Sequence, residues 1–295
     1  MSTPCGHTAF QTQTIIRSLL DTVGISPRKR FGQHFLIDAN LMGRLLDAAD
    51  ISADDCILEV GTGTACLTTQ LAARAASVVT VEIDAQIAAI AQSVLSGSAN
   101  VTLLLGDALE RKSAISPQVL DTVRSKASRA RGELKLVANL PYDIATSLVI
   151  DLLLTDLPFR RLCFTVQTEV AERFLARHDS DAYGAVAIIT QSLSRGRRIC
   201  RVPPEAFWPR PKVDSTMLRL DLLPEAERAV KDAVDFARFV RQFFLHRRKT
   251  LSHLVRYLPS AETALRALAE SGIDPRSRPE QLTVENWQHF HGRLQ

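Results

Sequence analysis

Short apolar runs alternate with helix-like segments through residues 28–223, and this alternation limits the fold more than any other feature of the sequence. The apolar runs, each of strand length, cover residues 56–60, 77–83, 101–105, 134–138 and 162–166. Helical character lies in residues 67–74, 85–95, 145–154, 168–176 and 183–193, with a charged, helix-compatible segment at 109–130. Strands that alternate with helices predict an α/β fold with a mostly parallel, doubly wound sheet. Two later runs, residues 194–202 and 215–222, predict an antiparallel final hairpin.

A second region begins near residue 224, where the strand signal ends and helical periodicity takes over. Apolar side chains recur there at spacings of three and four residues, namely Phe236, Phe239, Val240, Phe243 and Phe244. This spacing gives one apolar helix face, and such a face usually packs into a core. We therefore predict an N-terminal extension at residues 1–27, a catalytic domain at 28–223 and a small helical domain at 224–295.

Several classes of protein are excluded by composition. No apolar run approaches the roughly 20 residues that a membrane-spanning helix needs, and the N-terminus carries no secretory signal. The five cysteines form no C-x-x-C pair and lie at no metal-ligand spacing with histidine. They therefore predict reduced thiols in a cytoplasmic protein. We expect no membrane association and no metal, and we interpret residues 1–27 as a plain polar extension.

Glycines or polar side chains mark the ends of four predicted strands. Gly61 and Gly63 follow the first strand, Glu82 ends the second, Asp107 follows the third and Asn139 follows the fourth. Because the carboxyl ends of parallel strands meet at one edge, where open α/β sheets bind ligands, these residues predict a binding site. Glycine lets the chain turn sharply and lets a ligand approach the main chain closely.

The spacing of these residues favours a nucleoside cofactor. Glu82 lies 21 residues after Gly61, where related folds place an acid that accepts hydrogen bonds from ribose hydroxyls. Asp107 can accept the exocyclic amine of the cofactor's adenine. A dinucleotide-binding fingerprint would need a third glycine where this chain has Cys66, which disfavours a nicotinamide oxidoreductase.

The tetrapeptide Asn139-Leu140-Pro141-Tyr142 has the chemistry to act on an adenine amine. That amine is a poor nucleophile because its lone pair is delocalised into the ring, so both N–H groups need acceptors that turn the lone pair outward. The Asn139 side-chain oxygen and the Leu140 carbonyl can supply them. Pro141 fixes the turn, and Tyr142 offers a flat face on which a base can stack.

Basic residues are clustered although the net charge is only +4. Residues 195–212 contain six Lys or Arg against one acid, and residues 238–249 contain five and no acid. Residues 28–30 form a third cluster. Such patches on a nearly neutral background predict a polyanionic partner. The cations expected to contact it are Arg28, Lys29, Arg30, Arg210, Lys212, Arg247, Arg248 and Lys249.

Four segments together resemble class I S-adenosylmethionine-dependent methyltransferases, and among them the small-subunit ribosomal RNA adenine dimethyltransferases. They cover residues 28–36, 139–142, 203–215 and 246–250, and the resemblance extends over roughly residues 28–290. It implies a Rossmann-like methyltransferase sheet and S-adenosylmethionine as the cofactor. It also implies methyl transfer to the N6 amines of two adjacent adenosines near the 3′ end of 16S rRNA, giving N6,N6-dimethyladenosine. The implied partner is rRNA within a partly assembled 30S subunit, and we expect a monomer.

The resemblance also assigns roles to individual residues. The cofactor site would be lined by His34, Leu36, Gly61, Gly63, Glu82, Asp107 and Asn139. Tyr142 and Phe207 would hold the target base between them. Trp208 is unusual in the loop at residues 203–215, where it either adds a stacking surface or packs.

Two alternatives stay open on the sequence. One is an enzyme that methylates adenine in large-subunit rRNA, as antibiotic-resistance methyltransferases do, because that family has the same fold and a similar motif. The segments at 28–36 and 209–215 favour the small-subunit enzymes. The other is a non-catalytic RNA-binding assembly factor, which the intact 139–142 motif and Glu82 disfavour. A DNA adenine methyltransferase is disfavoured because no DNA target-recognition domain is recognisable.

Overall fold

The computed structural model describes residues 10–28, 32–111 and 114–295. The strands are β1 (Phe35–Leu36), β2 (Cys56–Val60), β3 (Ser77–Glu82), β4 (Val101–Leu105), β5 (Leu109–Arg111), β6 (Ala114–Ile115), β7 (Leu134–Asn139), β8 (Phe159–Gln167), β9 (Ser194–Val202), β10 (Phe207–Trp208) and β11 (Ser215–Leu222). The longer helices are α1 (Gln13–Asp21), α2 (Ala39–Ala49), α3 (Cys66–Ala72), α4 (Ala85–Val94), α5 (Pro117–Ala127), α6 (Ala145–Leu154), α7 (Thr168–Leu175), α8 (Ala185–Leu193), α9 (Ala233–Phe244), α10 (Leu251–Leu254), α11 (Ala261–Glu270) and α12 (Val284–Gly292).

Within the described ranges, seven strands form one sheet in the order β4-β3-β2-β7-β8-β11-β9. The first five are parallel neighbours, and β9 and β11 contribute the antiparallel hairpin strands. β2 is buried along its whole length and β7 along all but its last residue. This burial is why their sequences are nearly continuous apolar runs, as expected for parallel strands covered on both faces.

Strand register brings the predicted site residues to one edge of the sheet. Cys56 lies opposite both Ser77 and Leu134, so β2, β3 and β7 begin level with one another. Their carboxyl ends therefore also lie level, at Val60, Glu82 and Asn139. The cofactor and motif residues predicted at strand ends thus share one edge.

The segment at residues 109–130, predicted as helix-compatible throughout, is helical only in its second part. Leu109 pairs with Ile115 in the small antiparallel β5–β6 ladder. Pro117 then occupies the start of α5, a position that tolerates proline because its missing N–H would have no helical partner there. A second short pairing, Phe35 with Trp208 and Leu36 with Phe207, joins β1 to β10.

The described part of the N-terminal region contains a packed helix, α1, which the interpretation as a plain polar extension does not include. α1 buries Ile16 and Leu20 completely or nearly so. These two residues pack in a cluster with Phe35, Ile87 and Ile90. The sequence carried a signal for this helix that the prediction missed, because Ile15, Ile16, Leu19 and Leu20 recur at spacings of three and four residues.

The chain forms two compact units. The first comprises residues 1–168 and 197–220, and the second comprises 169–196 and 221–295. In the second unit, the predicted apolar stripe of α9 is in the core, with Phe236, Phe239 and Phe243 packed around Trp287 and Phe290. Residues 169–196 join this unit although they precede the predicted boundary at 224. Each predicted domain is one continuous stretch of chain, whereas each of the two units combines two stretches. The predicted domain limits stay a prediction.

α8 shows why residues before 197 join the second unit. Ala187 and Ile188 are buried in the same hydrophobic cluster as the α9 phenylalanines. Tyr183, just before α8, is also buried there, and its hydroxyl donates to the Leu282 carbonyl at 2.8 Å. Burial raises the pKa of Tyr183, so the side chain stays neutral and keeps this hydrogen bond.

Candidate active site

A cavity of about 380 Å³ lies in the first unit at the carboxyl edge of the sheet. Its wall includes the predicted residues His34, Leu36, Gly61, Gly63, Glu82, Asp107, Asn139, Leu140, Pro141 and Tyr142. Residues that are far apart in sequence therefore meet around one space. Its volume falls in the range of roughly 300 to 1,000 Å³ that is usual for small-molecule sites.

The turn after β2 depends on glycine. Gly61 has φ +90° and Gly63 has φ +55°, backbone conformations that side chains with a Cβ rarely adopt. A Cβ at Gly63 would lie 3.2 Å from the Phe35 ring, and one at Gly61 would lie 3.4 Å from Pro141 Cδ. The turn therefore fits closely between β1 and the tetrapeptide motif.

Glu82 is held at the end of β3 by backbone donors. Its Oε2 accepts from Gly63 N at 2.9 Å and its Oε1 accepts from Asp84 N at 3.0 Å. The side chain is almost fully buried, and this burial raises its pKa while the two backbone hydrogen bonds oppose the rise. Each carboxylate oxygen retains a further lone pair, so Glu82 can accept hydroxyl donors from a ligand in the cavity.

Glu59 is a cavity residue that sequence reasoning did not assign. It lies on β2, is 1% exposed, and accepts from Thr68 Oγ1 at 2.6 Å and Thr80 Oγ1 at 2.7 Å, both at Oε2. Burial raises its pKa to about 8, and the nearby Glu82 charge adds to the rise, while the two threonine hydrogen bonds oppose it. The signal in the sequence was an acid inside an otherwise apolar strand run.

Asp107 lies on the cavity wall after the positive-φ residue Gly106, at φ +153°. Its Oδ1 accepts from Leu109 N at 2.9 Å. The bond resembles a helix cap, but strand β5 follows instead of a helix. Oδ2 of Asp107 does not take part in this backbone hydrogen bond. It is therefore suited to the predicted contact with the exocyclic amine of the cofactor's adenine.

Asn139 presents an unsatisfied acceptor. Its Nδ2 donates to the His34 carbonyl at 2.9 Å, which fixes the orientation of the amide. Its Oδ1 is buried and has no hydrogen-bond partner among the described residues. A buried polar atom left without a partner costs about 1 to 3 kcal/mol, so this oxygen marks a place for a ligand donor.

Tyr142 is fixed from two sides. Its hydroxyl is 2.6 Å from Ser215 Oγ, and its ring stacks on His34 with centroids 5.5 Å apart and planes 27° apart. His34 is held in turn by a 2.6 Å contact between Nδ1 and the Pro209 carbonyl, in which Nδ1 must be the donor. Burial raises the pKa of Tyr142, so the hydroxyl stays protonated.

Phe207 lies apart from this cavity. It is 2% exposed and packs in a core cluster with Leu36 and Met217. Trp208 is partly buried and stacks on Phe35, with ring centroids 6.4 Å apart. The ring found against Tyr142 is therefore His34, and the predicted base-holding role of Phe207 stays a prediction.

The predicted RNA-binding cations differ in their surroundings. Lys29 and Arg30 lie outside the described residues. Arg28 is 3.2 Å from Asp84 Oδ2, and Arg210 is paired with Glu205. Among the residues the structure describes, Lys212, Arg247, Arg248 and Lys249 have no ion pair and are exposed, so they are the most available to an external anion.

In the described part of the chain, no group of three or more His, Cys, Asp or Glu residues is arranged to hold a metal ion. Across the same residues, no helix is both long enough and apolar enough to span a bilayer. Among the described residues, Cys56, Cys66, Cys163 and Cys200 form no disulfide.

The sheet, the glycine turn, the strand-end acids and the asparagine motif define a class I methyltransferase. The model of the ribosomal RNA adenine dimethylase family matches residues 24–295, and the chain belongs to that family. Methyltransferases of this class generally use S-adenosylmethionine. The predicted family, fold class and enzyme class are confirmed.

Individual relatives agree with this assignment. The chain is 36% identical over 280 residues to ribosomal RNA small subunit methyltransferase A of Moorella thermoacetica, covering 94% of this chain and 96% of that protein. It is 36% identical over 293 residues to the protein of the same name from Geobacillus thermodenitrificans, covering 98% of both.

Solved structures share the fold. A dimethyladenosine transferase from Plasmodium falciparum superposes with a TM-score of 0.71 at 22% identity, covering 87% of this chain and 96% of that one. The 23S rRNA methyltransferase ErmE gives a TM-score of 0.61 at 24% identity, covering 88% and 99%.

Proposed function

We propose that this protein methylates the N6 amines of two adjacent adenosines near the 3′ end of 16S rRNA, giving N6,N6-dimethyladenosine during 30S assembly. The observation that carries the proposal is the buried, unpartnered Oδ1 of Asn139, a residue that lines the same cavity as Tyr142. An adenine N6 amine brings the N–H donor that this oxygen lacks, together with a flat ring. The small-subunit name of the relatives in two bacteria supports the choice of RNA.

The residues present fit S-adenosylmethionine as the methyl donor. Glu82 can accept the ribose hydroxyls, Asp107 can accept the adenine amine, and the positive-φ turn at Gly61 and Gly63 lets a ligand approach the main chain. S-adenosylmethionine, when bound, supplies a methyl group activated on its sulfonium. The contribution of the protein is therefore to position the acceptor amine and to exclude water.

Asn139 and Tyr142 would position the acceptor. The bond from Asn139 Nδ2 to the His34 carbonyl fixes the amide, and the unpartnered Oδ1 is the proposed acceptor of one N–H of the amine. The Leu140 carbonyl is the proposed second acceptor. Stacking on Tyr142 contributes roughly 1 to 3 kcal/mol, which offsets the few kcal/mol needed to take the base out of its stack.

The second unit offers a surface for RNA. Arg247, Arg248 and Lys249 are exposed and free of ion pairs among the described residues, so each can neutralise a phosphate. Tyr257 is 70% exposed, and its ring centroid is 5.8 Å from that of His253 and 6.1 Å from that of His246. Cations beside exposed rings are typical of surfaces that bind unpaired nucleotides.

The location and assembly state are part of the same proposal. The proposed substrate and the lack of a disulfide among the described cysteines support a cytoplasmic location. We propose that the chain acts as a monomer on a partly assembled subunit.

The test is transfer of labelled methyl from S-adenosylmethionine to under-methylated small subunits, with mass spectrometry of the digested RNA. Dimethyladenosine in the 3′-terminal fragment of 16S rRNA is the expected result. Asn139→Ala should abolish transfer while RNA binding persists. Asn100→Ala is the matched control, because Asn100 also holds the backbone, through the carbonyls of Ala72 and Ala75, but does not line the cavity.

The two alternatives give different results in the same assay. Transfer to large-subunit rRNA, with none to the small subunit, would replace this proposal with the antibiotic-resistance type of activity. An intact protein that bound RNA but neither bound nor used S-adenosylmethionine would be a non-catalytic assembly factor.

A further inference from the structure

A segment that lies before the region matched by the family model contacts the cofactor cavity. The match begins at residue 24. Residues 10–21, here called the N-terminal strap, precede it and pack within the first unit, against the glycine turn and helix α4. Part of the strap is α1, whose Ile16 is fully buried and stands on the cavity wall.

The strap is fastened to the glycine turn through Gln11. The Gln11 Nε2 donates to the Thr64 carbonyl at 2.9 Å, and the Thr64 hydroxyl donates back to Gln11 Oε1 at 2.5 Å. The Gln11 N–H also points to Cys66 Sγ at 3.2 Å. Gln11 is 8% exposed, so breaking this reciprocal pair would leave buried polar groups without partners.

The strap is also fastened to the loop that contains the predicted substrate residues. The Arg17 guanidinium lies 5.2 Å from the centroid of the Trp208 ring. The Gln13 side-chain amide is oriented so that its oxygen faces hydrogen-bond donors. That oxygen accepts from Arg17 Nη2 at 2.8 Å and from Trp208 Nε1 at 3.3 Å. Trp208 is on β10, directly opposite Phe35 of β1.

One short segment therefore contacts both the glycine turn and the loop that carries Trp208. Gln11 fixes the turn that carries Gly63, while Ile16 packs with Phe35, the residue against which Gly63 is closely fitted. Because Gly63 N donates to Glu82, a shift of this turn would also move the carboxylate proposed to bind the cofactor ribose.

We propose that the N-terminal strap forms part of the cofactor site and contributes to cofactor affinity. Gln11 positions the glycine turn, and Ile16 forms part of the cavity wall. The identity of the cofactor rests on the proposed function. Since the docked strap shapes the site, cofactor binding and strap docking are coupled. Thermodynamic linkage makes the effect reciprocal. The free energy by which bound cofactor stabilises the docked strap equals the free energy by which the docked strap improves cofactor binding.

The experiment measures binding of S-adenosylmethionine to the full-length protein by calorimetry. Gln11→Ala and Ile16→Ala should each raise the dissociation constant about tenfold, the effect of losing roughly one buried interaction. Ile15→Ala is the matched control, because Ile15 precedes Ile16 on the same helix but is 43% exposed. Its dissociation constant should equal that of the wild type. Saturating cofactor should restore the methyl-transfer rate of Gln11→Ala, as a positioning role requires.

A second measurement needs no variant. Trypsin cleaves after exposed Arg17 only when α1 opens, so saturating S-adenosylmethionine should slow this cleavage in the wild type, with products identified by mass spectrometry. Unchanged affinity in both folded variants, or cleavage at the same rate with and without cofactor, overturns the strap proposal alone. Failure of the wild type to bind S-adenosylmethionine overturns the proposed function and the strap proposal together.

Discussion

Glu59 makes the stability of this protein depend on pH in a direction opposite to that of most carboxylates. Its pKa is raised from 4.5 to about 8 in the folded chain because the side chain is buried. Below pH 4.5 it is protonated in both the folded and unfolded states and contributes fully to stability. Between pH 4.5 and 8 the unfolded chain releases the proton while the folded chain keeps it, so stability falls as pH rises.

The magnitude follows from the width of that window. Each pH unit between the two pKa values is worth roughly 1.4 kcal/mol, so the full window from 4.5 to about 8 corresponds to about 3 to 5 kcal/mol. Glu59→Gln removes the ionisation while keeping an oxygen that can accept from Thr68 and Thr80. The free energy of unfolding of Glu59→Gln minus that of the wild type should therefore rise by about 3 to 5 kcal/mol between pH 5 and pH 8.5.

Urea denaturation across this pH range measures the difference. Glu110→Gln, at an exposed glutamate on β5, controls for the loss of one carboxylate. A difference between Glu59→Gln and the wild type that stays flat from pH 5 to 8.5 would refute the reasoning, because it would mean that Glu59 ionises in the folded chain as readily as in the unfolded one.

Three further predictions concern the site, the core and the RNA surface. Ser215→Ala removes the partner of the Tyr142 hydroxyl, so methyl transfer should slow about tenfold while the affinity for S-adenosylmethionine is unchanged; a normal transfer rate would contradict this. Lys135→Ala leaves Asp55 without the ammonium group that lies 2.7 Å away in the core. Urea denaturation should then show that the free energy of unfolding falls by about 3 to 5 kcal/mol. A fall below about 1 kcal/mol would exclude a strong buried pair. Arg248→Ala should reduce the salt dependence of RNA affinity by about 0.7 to 0.9 in log–log slope; an unchanged slope would mean that Arg248 contacts no phosphate.

A double variant is the control for the buried Lys135–Asp55 pair. Asp55 also accepts from the Ser52 and Glu133 N–H groups at 2.8 Å each. The lysine and these backbone donors lower the pKa of Asp55, although its burial acts in the opposite direction. Replacing both members, as Lys135→Met with Asp55→Asn, should cost less than Lys135→Ala alone, because no charge is then left unpaired.

The parallel sheet and most of the cavity could be predicted from local sequence. Periodicity separates strands from helices, and parallel strands must end at a common edge. The sequence therefore predicts that Gly61, Glu82, Asp107 and Asn139 meet at that edge. The strand at 162–166 was also expected, although β8 extends further, over Phe159–Gln167.

Contacts between segments far apart in sequence could not be predicted in this way. Glu59 gave a signal, an acid within an apolar strand, but not its two threonine partners. His34 lies against Tyr142, 108 positions later, and no local pattern encodes that stacking. The burial of Phe207 depends on its pairing with Leu36, which is equally non-local.

The sequence by itself determined the class of fold, the order of the main strands and helices, the motif at Asn139 and the clusters of positive charge. These follow from propensity, hydrophobic period and residue chemistry, all of which act over a few neighbouring residues. Tertiary structure alone decided that Asn139 Oδ1 would be buried without a partner, that residues 169–196 would pack with the C-terminal helices, and that the N-terminal strap would dock on the cavity. Those outcomes depend on which surfaces exclude water together, and this is a property of the whole folded chain.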